Sequence, residues 1–235
     1  MRFGEKCIFT VSQDLFDGKI KGNHKYVGKY WRDKWVKYRT FTIKAKTIES
    51  VEKPKVKKEK APTASDYKNF GDTAFELAIR YRDDWQSVIS GKKFEEGDWN
   101  GLQAGHGVSR QHWATRHDAL NCHAITSGEN FHMSIGTTTI IAKYWSYVTV
   151  KYGQNAVQKL INDNHETPKL SISYLKEDCK DCFCFLFQAL ALYSAKNGTK
   201  LRVASDVIKW RCEKYPKKKA EGVLKVLDLI TKGDL

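Results

Sequence analysis

Hydrophobic and polar positions alternate in some segments of the chain and recur every three to four residues in others. The alternation through residues 38–43 predicts strands, which we place in a small β-rich unit. From Asp66 a helical period begins, with apolar residues continuing as far as Tyr81. Residues 138–152 are apolar over a length typical of a helix, and we expect Gly153 to end this helix in the αL conformation. The chain therefore contains both strand-like alternation and helix-like spacing of its apolar residues.

The distribution of these patterns predicts an α+β fold in four parts. One segment between the patterned regions is rich in lysine, contains two prolines and has few large apolar residues, which is typical of a linker. The last part is mainly helical, because residues 180–195 and 222–230 show helical spacing. The predicted parts are a β-rich unit (1–45), a basic linker (46–65), a core (66–165) and a helical C-terminal region (166–235).

The charge balance indicates a polyanionic partner. Lysine and arginine total 41 against 27 acidic residues, which gives a formal net charge of +14. Such a field attracts nucleic acid, although it also serves solubility alone. The sequence has no apolar segment of the length that a bilayer requires and no apolar signal core near Met1, so we expect a protein of the cytoplasm with no membrane partner.

The cysteines predict free thiols. A chain of this length without a secretory signal needs no disulfides to stabilise it. Cys179, Cys182 and Cys184 are closely spaced, which is compatible with a metal site. They lie in an apolar, helix-like segment with no histidine nearby in sequence, so buried free cysteines are the favoured interpretation.

A cluster of histidines marks the segment in which we expect chemistry. Five of the seven histidines fall within 27 consecutive residues: His106, His112, His117, His123 and His132. Around them, residues 102–106 and 118–125 are typical of short strands, and residues 126–130 are typical of the start of a helix. Two strands and a helix in this order would surround one small cleft.

This cleft has residues suited to hydrolysing a phosphodiester bond. His106 is the candidate general base, since an imidazole is poised near neutral pH and a carbonyl on one nitrogen leaves the other free to accept a proton. Asn121 would orient that histidine or shape the loop before it. The plain alternatives are an ordinary hydrogen-bonded histidine and an asparagine that caps a turn.

The same cleft has candidate metal and phosphate ligands. Asn130 and His123 would hold a divalent ion, Mg²⁺ or Mn²⁺, and Arg110 and Arg116 would bind phosphate. The alternatives are a helix N-cap for Asn130 and solvated charge for both arginines. The interpretation requires that His106 and Asn130 point into one shared pocket.

The motif resembles a known family. The string LQAGH at 102–106 is followed by an arginine, by Asn121-x-His123, and by Asn130 with a glycine six residues later. Together with Tyr152-Gly153, this is similar to the NinG (Rap) family of phage recombination endonucleases, a branch of the HNH superfamily. The resemblance implies a ββα-metal (HNH) core, cleavage of branched DNA during phage recombination, and action in the cytoplasm of a bacterial host.

The sequence departs from the family pattern at two kinds of position. Relatives carry Cys-x-x-Cys pairs for a structural zinc, but residues 87–91 and 126–130 contain no cysteine here, so we expect no structural zinc in this core. Trp85, Trp99, Trp113 and the long helix would support the motif instead. Gly105 also stands where many HNH enzymes have a metal-binding aspartate.

The residues and the resemblance together predict a metal-dependent DNA endonuclease. The alternative is a catalytically inactive HNH-like protein that binds DNA, and the basic, aromatic N-terminal unit leaves an RNA-binding or RNA-cutting protein as a third candidate. A homodimer stays open as an assembly state.

Overall fold

The structure, a computed structural model, describes residues 24–31, 34–41, 60–163 and 168–235. The chain divides into two compact units, residues 1–59 and 60–235. In the first unit, β1 (His24–Trp31) and β2 (Lys34–Phe41) pair antiparallel; the predicted alternation at 38–43 overlaps the end of β2, and residues 42–43 lie outside the described residues. The rest of the predicted β-rich unit and most of the predicted linker lie outside the described residues.

The second unit begins with the helix on which its core is built. Helix α1 (Ala64–Arg82) starts at Thr63, whose hydroxyl accepts a hydrogen bond from the backbone of Asp66, while the Asp66 carboxylate accepts one from the backbone of Thr63. This reciprocal capping box satisfies two backbone donors that the first turn would otherwise leave unpaired. The elements that follow are β3 (Leu102–His106), α2 (Trp113–Arg116), β4 (Cys122–Thr126), α3 (Ser127–Ser134), α4 (Thr138–Tyr152), α5 (Gln154–Asp163), α6 (Ile172–Asn197), α7 (Ala204–Cys212) and α8 (Lys217–Lys232).

The main core lies between α1 and the C-terminal helices. Phe70, Leu77 and Ile79 of α1 are fully buried with Leu186 and Leu190 of α6. Burying side chains of this size stabilises the fold by about 1.5–3 kcal/mol each. The C-terminal helices and the segment that carries the histidine cluster therefore share one hydrophobic core.

The strands β3 and β4 form a two-stranded antiparallel hairpin with two different faces. In its register Leu102 lies opposite Thr126, and His106 lies opposite Cys122. Leu102, Cys122, Ala104 and Ala124 pack into the main core, whereas Ile125 belongs to a second cluster with Tyr144 and Val148 of α4. Because successive strand residues point to opposite faces, this places the hairpin between α1 on one side and α3 and α4 on the other.

Charged residues at the end of α1 pair with backbone groups of the hairpin. The guanidinium of Arg80 donates to the carbonyl of Leu102 at 3.0 Å. That of Arg82 donates to the carbonyls of Ala119 and Cys122, and the carboxylate of Asp83 accepts from the backbone N–H of Ala124 at 2.8 Å. A hairpin of two strands has unpaired backbone groups on both outer edges, and these contacts satisfy several of them.

The α+β class is confirmed by these helices and antiparallel strands, while the HNH assignment stays a prediction. The strand predicted at 102–106 is confirmed, and the helix predicted at 138–152 is confirmed with the same bounds. The second strand begins at Cys122, four residues later than predicted. Gly153 has φ 86° and ψ 154°, so its positive φ was anticipated but its conformation is not αL.

The described helices were also compared with the dimensions of a bilayer. Among the residues that the structure describes, none of the helices combines the length and the apolar character needed to span one.

The ion pair at the end of α1 gives a prediction about stability. Asp83 is 2% exposed and its carboxylate lies 2.8 Å from Nη2 of Arg82, whose side chain is 14% exposed. Replacing Asp83 by Asn should lower the free energy of unfolding by about 3–5 kcal/mol, because the Arg82 charge then stays buried without its partner. Urea denaturation followed by circular dichroism measures the loss.

A surface ion pair supplies the control. Lys180 and Glu177 form an exposed pair on α6, so Lys180→Ala should change stability by no more than about 0.5 kcal/mol. A loss below about 1 kcal/mol in Asp83→Asn, the range of a surface pair, would contradict the prediction.

Candidate functional site

His106, the candidate base, is the last residue of β3 and is held by two contacts. Its Nε2 lies 3.0 Å from the backbone carbonyl of Arg116 and therefore donates to it. Its Nδ1 lies 3.7 Å from the thiol of Cys122, the residue opposite it in β4. Burial lowers the pKa of His106, with the Arg116 carbonyl acting in the opposite direction. The ring is therefore neutral near pH 7, with Nδ1 as its basic nitrogen.

Asn121 is fully buried and organises the loop between β3 and β4. Its side-chain oxygen accepts from the backbone N–H of Val108 at 2.7 Å, and its amide group donates to the carbonyls of Val108 and Thr115. Its own backbone carbonyl accepts from Gly107 and from the hydroxyl of Tyr144. Of the two roles considered for Asn121, these contacts are those of shaping the loop.

Asn130 lies within α3 and faces the strand β3. The N-cap of that helix is Thr126, which forms a capping box with Glu129, so the capping alternative for Asn130 does not apply. The Asn130 amide donates to the side-chain oxygen of Gln103 at 2.7 Å. A Cβ built on Gly105 would lie 3.3 Å from the Asn130 oxygen, so this oxygen is directed toward the residue before His106.

The structure corrects the expectation that His106 and Asn130 point into one pocket. His106 shares a face with Cys122, on the side of α1, and its ring centre lies 6.4 Å from that of Phe75. Asn130 contacts Gln103 and faces Gly105, and these two residues belong to the opposite face of β3. The reason is the alternation of neighbouring strand residues. Both groups lie near the same end of β3, so a phosphate that contacts both must lie across that end.

His123 is completely buried and is surrounded by aromatic rings and charges. Its Nδ1 accepts from Arg82 at 2.6 Å, while the carboxylate of Asp83 lies 3.5 Å away. Burial lowers the pKa of His123; Asp83 acts in the opposite direction, and the nearby Arg82 charge lowers the pKa further. Its Nε2 has no hydrogen-bond partner among the described residues. With Nδ1 engaged by a cation, the imidazole is poorly placed to bind a second one.

The two candidate phosphate ligands differ in their availability. The side chain of Arg110 is 62% exposed, and its nearest described acidic partner is Glu76 at 3.9 Å. Arg116 is only 14% exposed and donates to both oxygens of Asp72 at 2.8 and 2.7 Å. A phosphate bound by Arg116 would have to displace this carboxylate, whereas Arg110 is open to solvent.

Acidic residues from distant parts of the chain, which no pattern in the sequence predicted, complete this region. His117 lies between two carboxylates, with Nε2 3.0 Å from Asp72 and Nδ1 2.9 Å from Asp178. Burial opposes protonation, but these hydrogen bonds raise the pKa of His117 well above its usual value. Asp72 and Glu76 are one turn apart on α1, which is the only local signal that could have grouped them.

The cysteines of α6 have different environments. Cys179 and Cys182 are buried, as expected, whereas Cys184 is exposed, contrary to the expectation of three buried thiols. The Cys179 thiol donates to the backbone carbonyl of Tyr67 at 3.2 Å. The described cysteines are all free.

Comparison with known families adds to this geometry. Residues 19–186 match the family described as bacteriophage lambda NinG protein, which is well over half of the chain. The chain belongs to the NinG family. No curated protein and no solved structure matches it.

The NinG match covers the hairpin β1–β2, the whole histidine cluster and α6 as far as Leu186. It therefore includes Asp72 and Asp178 as well as the motif residues. Membership in the NinG family implies a bacteriophage protein related to recombination. The match ends before α7 and α8.

The close approach at Gly105 generates a prediction. A Cβ at this position would overlap Cδ1 of Ile125 and lie 2.6 Å from its Cγ1. Gly105→Ala should therefore destabilise the protein by about 1–3 kcal/mol through overpacking. The measurement is the free energy of unfolding in urea.

A double-mutant cycle with Ile125→Val tests the cause. This second change removes Cδ1 and alone should cost about 0.5–1.5 kcal/mol. In the double variant the total loss should be smaller than the sum of the single losses by at least about 0.5 kcal/mol. Simple additivity would show that Ile125 is not the reason for glycine at position 105.

Proposed function

We propose that the protein is a metal-dependent DNA endonuclease that cleaves phosphodiester bonds, with branched recombination intermediates as its substrates. The observation that carries the proposal is the β3–β4–α3 unit, in which the end of β3, near both His106 and Asn130, takes the place of the single shared pocket that the sequence interpretation required. In this unit an oriented, neutral His106 ends one strand, and Asn130 from the following helix faces the residue before it. The family match supplies the phage recombination context.

His106 acts as the general base. Its Nε2–H is fixed by the Arg116 carbonyl, which leaves Nδ1 to accept a proton from water. In the structure this nitrogen faces the Cys122 thiol at 3.7 Å, a weak hydrogen-bond partner that a water has to displace. The loop that Asn121 fixes carries the Arg116 carbonyl, and Asn121 therefore acts as a positioning residue.

The residues near Asn130 fit a hard divalent cation. The Asn130 amide nitrogen is bound to the Gln103 oxygen, which leaves the Asn130 oxygen, directed toward Gly105, as the candidate ligand, and Mg²⁺ or Mn²⁺ accepts such oxygen ligands while keeping several waters. A bound ion would stabilise negative charge on the phosphate and on the leaving oxygen. His123, although predicted as a ligand, is engaged with Arg82 and contributes to this arrangement by anchoring β4 to α1.

The basic surface supports DNA as the partner. The net charge of +14 attracts a polyanion, and Arg110 is exposed beside the loop that follows His106. Its guanidinium is suited to binding a phosphate bidentately. Arg116 donates hydrogen bonds to Asp72 of α1 and so restrains the β3–β4 loop. A homodimer would let two such basic surfaces contact two arms of one branched molecule.

A second candidate function is DNA binding without hydrolysis. Three observations favour it: Gly105 supplies no carboxylate, the Asn130 amide is already bound to Gln103, and the basic nitrogen of His106 faces a thiol. The two candidates differ in whether cleavage occurs, which a direct assay decides.

The deciding experiment measures cleavage of four-way, Y-shaped, nicked and linear DNA of matched sequence with Mg²⁺ or Mn²⁺. We expect cleavage of the branched forms, and His106→Ala should lower the rate by about 10²–10⁴-fold because the general base is removed. His112→Ala is the matched control, since His112 is exposed and lies on the same loop.

Each outcome of this assay has a defined meaning. Equal loss in both histidine variants, or full activity in His106→Ala, would refute the assigned base. Binding of DNA by the parent protein without cleavage under either metal would establish the second candidate. A parallel assay with RNA of matched sequence tests the third candidate, an RNA-binding or RNA-cutting protein, which preferential binding or cleavage of that RNA would establish.

The environment of His106 also predicts a pH dependence. A general base works in its neutral form, which is populated above its pKa. Because burial lowers the pKa of His106, the acid limb of the single-turnover cleavage rate should have its midpoint below the value of about 6.5 for free imidazole. A midpoint clearly above that value would show that another group controls the limb.

A further inference from the structure

A second cluster of polar side chains lies outside the proposed nuclease residues. His117, Asp178 and Cys182 each offer one potential ligand atom, and these three atoms all lie within 4.8 Å of one another. The cluster joins the end of the β3–β4 loop to helix α6. It lies outside the two segments at which the family resemblance places zinc cysteines.

The backbone arranges this set for binding. Asp178 and Cys182 are four residues apart on α6 and therefore share one helix face. His117 follows α2 and reaches that face from the loop, with its Nδ1 2.9 Å from the Asp178 carboxylate. The side chains of His117 and Asp178 are 8% and 14% exposed, and Cys182 is 2% exposed. The set is therefore largely shielded from competing water.

The second nitrogen of His117 is held as metal-bound histidines are. Its Nε2 donates to Asp72 at 3.0 Å, and Asp72 is fixed in turn by two hydrogen bonds from Arg116. A carboxylate on the far nitrogen orients an imidazole toward a metal and increases its strength as a ligand. The Cys182 thiol also hydrogen-bonds His117, so it belongs to the same cluster as the two carboxylates.

We propose that His117, Asp178 and Cys182 form a binding site for a single zinc-class transition-metal ion, with Asp72 as the orienting partner. One imidazole nitrogen, one carboxylate oxygen and one thiolate are the donor types that zinc prefers, and water would complete a tetrahedron. Bond lengths of about 2.0–2.3 Å separate tetrahedral ligand atoms by about 3–4 Å. The ion replaces the proton between His117 and Asp178 and the proton of the thiol.

The site would connect the C-terminal helices to the loop that orients His106. His117 directly follows Arg116, whose carbonyl holds Nε2 of His106. An ion at His117 therefore restrains the segment that sets the position of this base. The inference does not depend on the proposed nuclease activity, because binding of the ion is measured directly.

The test uses the full chain, stripped with a chelator and titrated with Co²⁺ alone. We expect one ion per chain, with the absorption of tetrahedral cobalt and a thiolate-to-cobalt charge-transfer band, and Zn²⁺ should displace it. Cys182→Ser should lose the charge-transfer band. Cys184→Ser, which alters an exposed thiol two residues along the same helix, should keep it.

Two further variants keep the proposal open to refutation. Asp72→Asn should weaken binding by about 10–100-fold without loss of the charge-transfer band, because Asp72 orients His117 without touching the ion. If Cys182→Ser does not fold, as judged by circular dichroism, Cys182→Ala replaces it, and the parent spectrum still reports the thiolate. Absence of stoichiometric cobalt binding by the parent, a spectrum without the thiolate band, or equal binding by the folded Cys182 variant would overturn the site.

Discussion

The geometry of this protein depends on hydrogen bonds between charged side chains at the end of α1 and the backbone of a two-stranded hairpin. A hairpin of this size has an unpaired edge on each side, and in this protein both faces are covered by helices. Buried carbonyls and N–H groups need partners, and Arg80, Arg82 and Asp83 supply them. Because these three residues lie within four positions of one another, the end of one helix fixes both β3 and β4.

This anchoring determines what each face of the hairpin presents. His106 points toward α1, where Phe75 and Glu76 lie near it, and Asn130 faces the opposite side across Gly105. A substrate that uses both groups must contact the end of β3 and cannot enter a cleft on either face. Under the proposed function, the exposed Arg110, on the loop that leaves that end, is the better placed of the two candidate phosphate ligands.

The loop between β3 and β4 is ordered by two internal networks, although it contains little regular structure. Asn121 pairs with backbone groups on its inner side, and Arg116 with His117 binds carboxylates of α1 and α6 on its outer side. The first network holds the loop close to the hairpin, and the second ties it to the C-terminal helices. The proposed metal site would strengthen the second network, so that the position of His106 would depend on residues more than 60 positions away in the chain.

Local patterns in the sequence determined the strand 102–106, the helix 138–152, the helical character of the C-terminal region and the concentration of polar chemistry near the histidines. These features depend on neighbouring residues, which share periodicity and capping preferences. Only the tertiary structure decided that Arg116 and His117 bind Asp72 and Asp178, that His123 is buried against Arg82, and that His106 and Asn130 leave opposite faces of the hairpin. The first two arrangements join residues about 40 to 60 positions apart, and such contacts follow from how helices pack and leave no periodic trace in the sequence. The third arrangement follows from strand alternation, but the sequence alone does not show which face of β3 the helix α3 packs against.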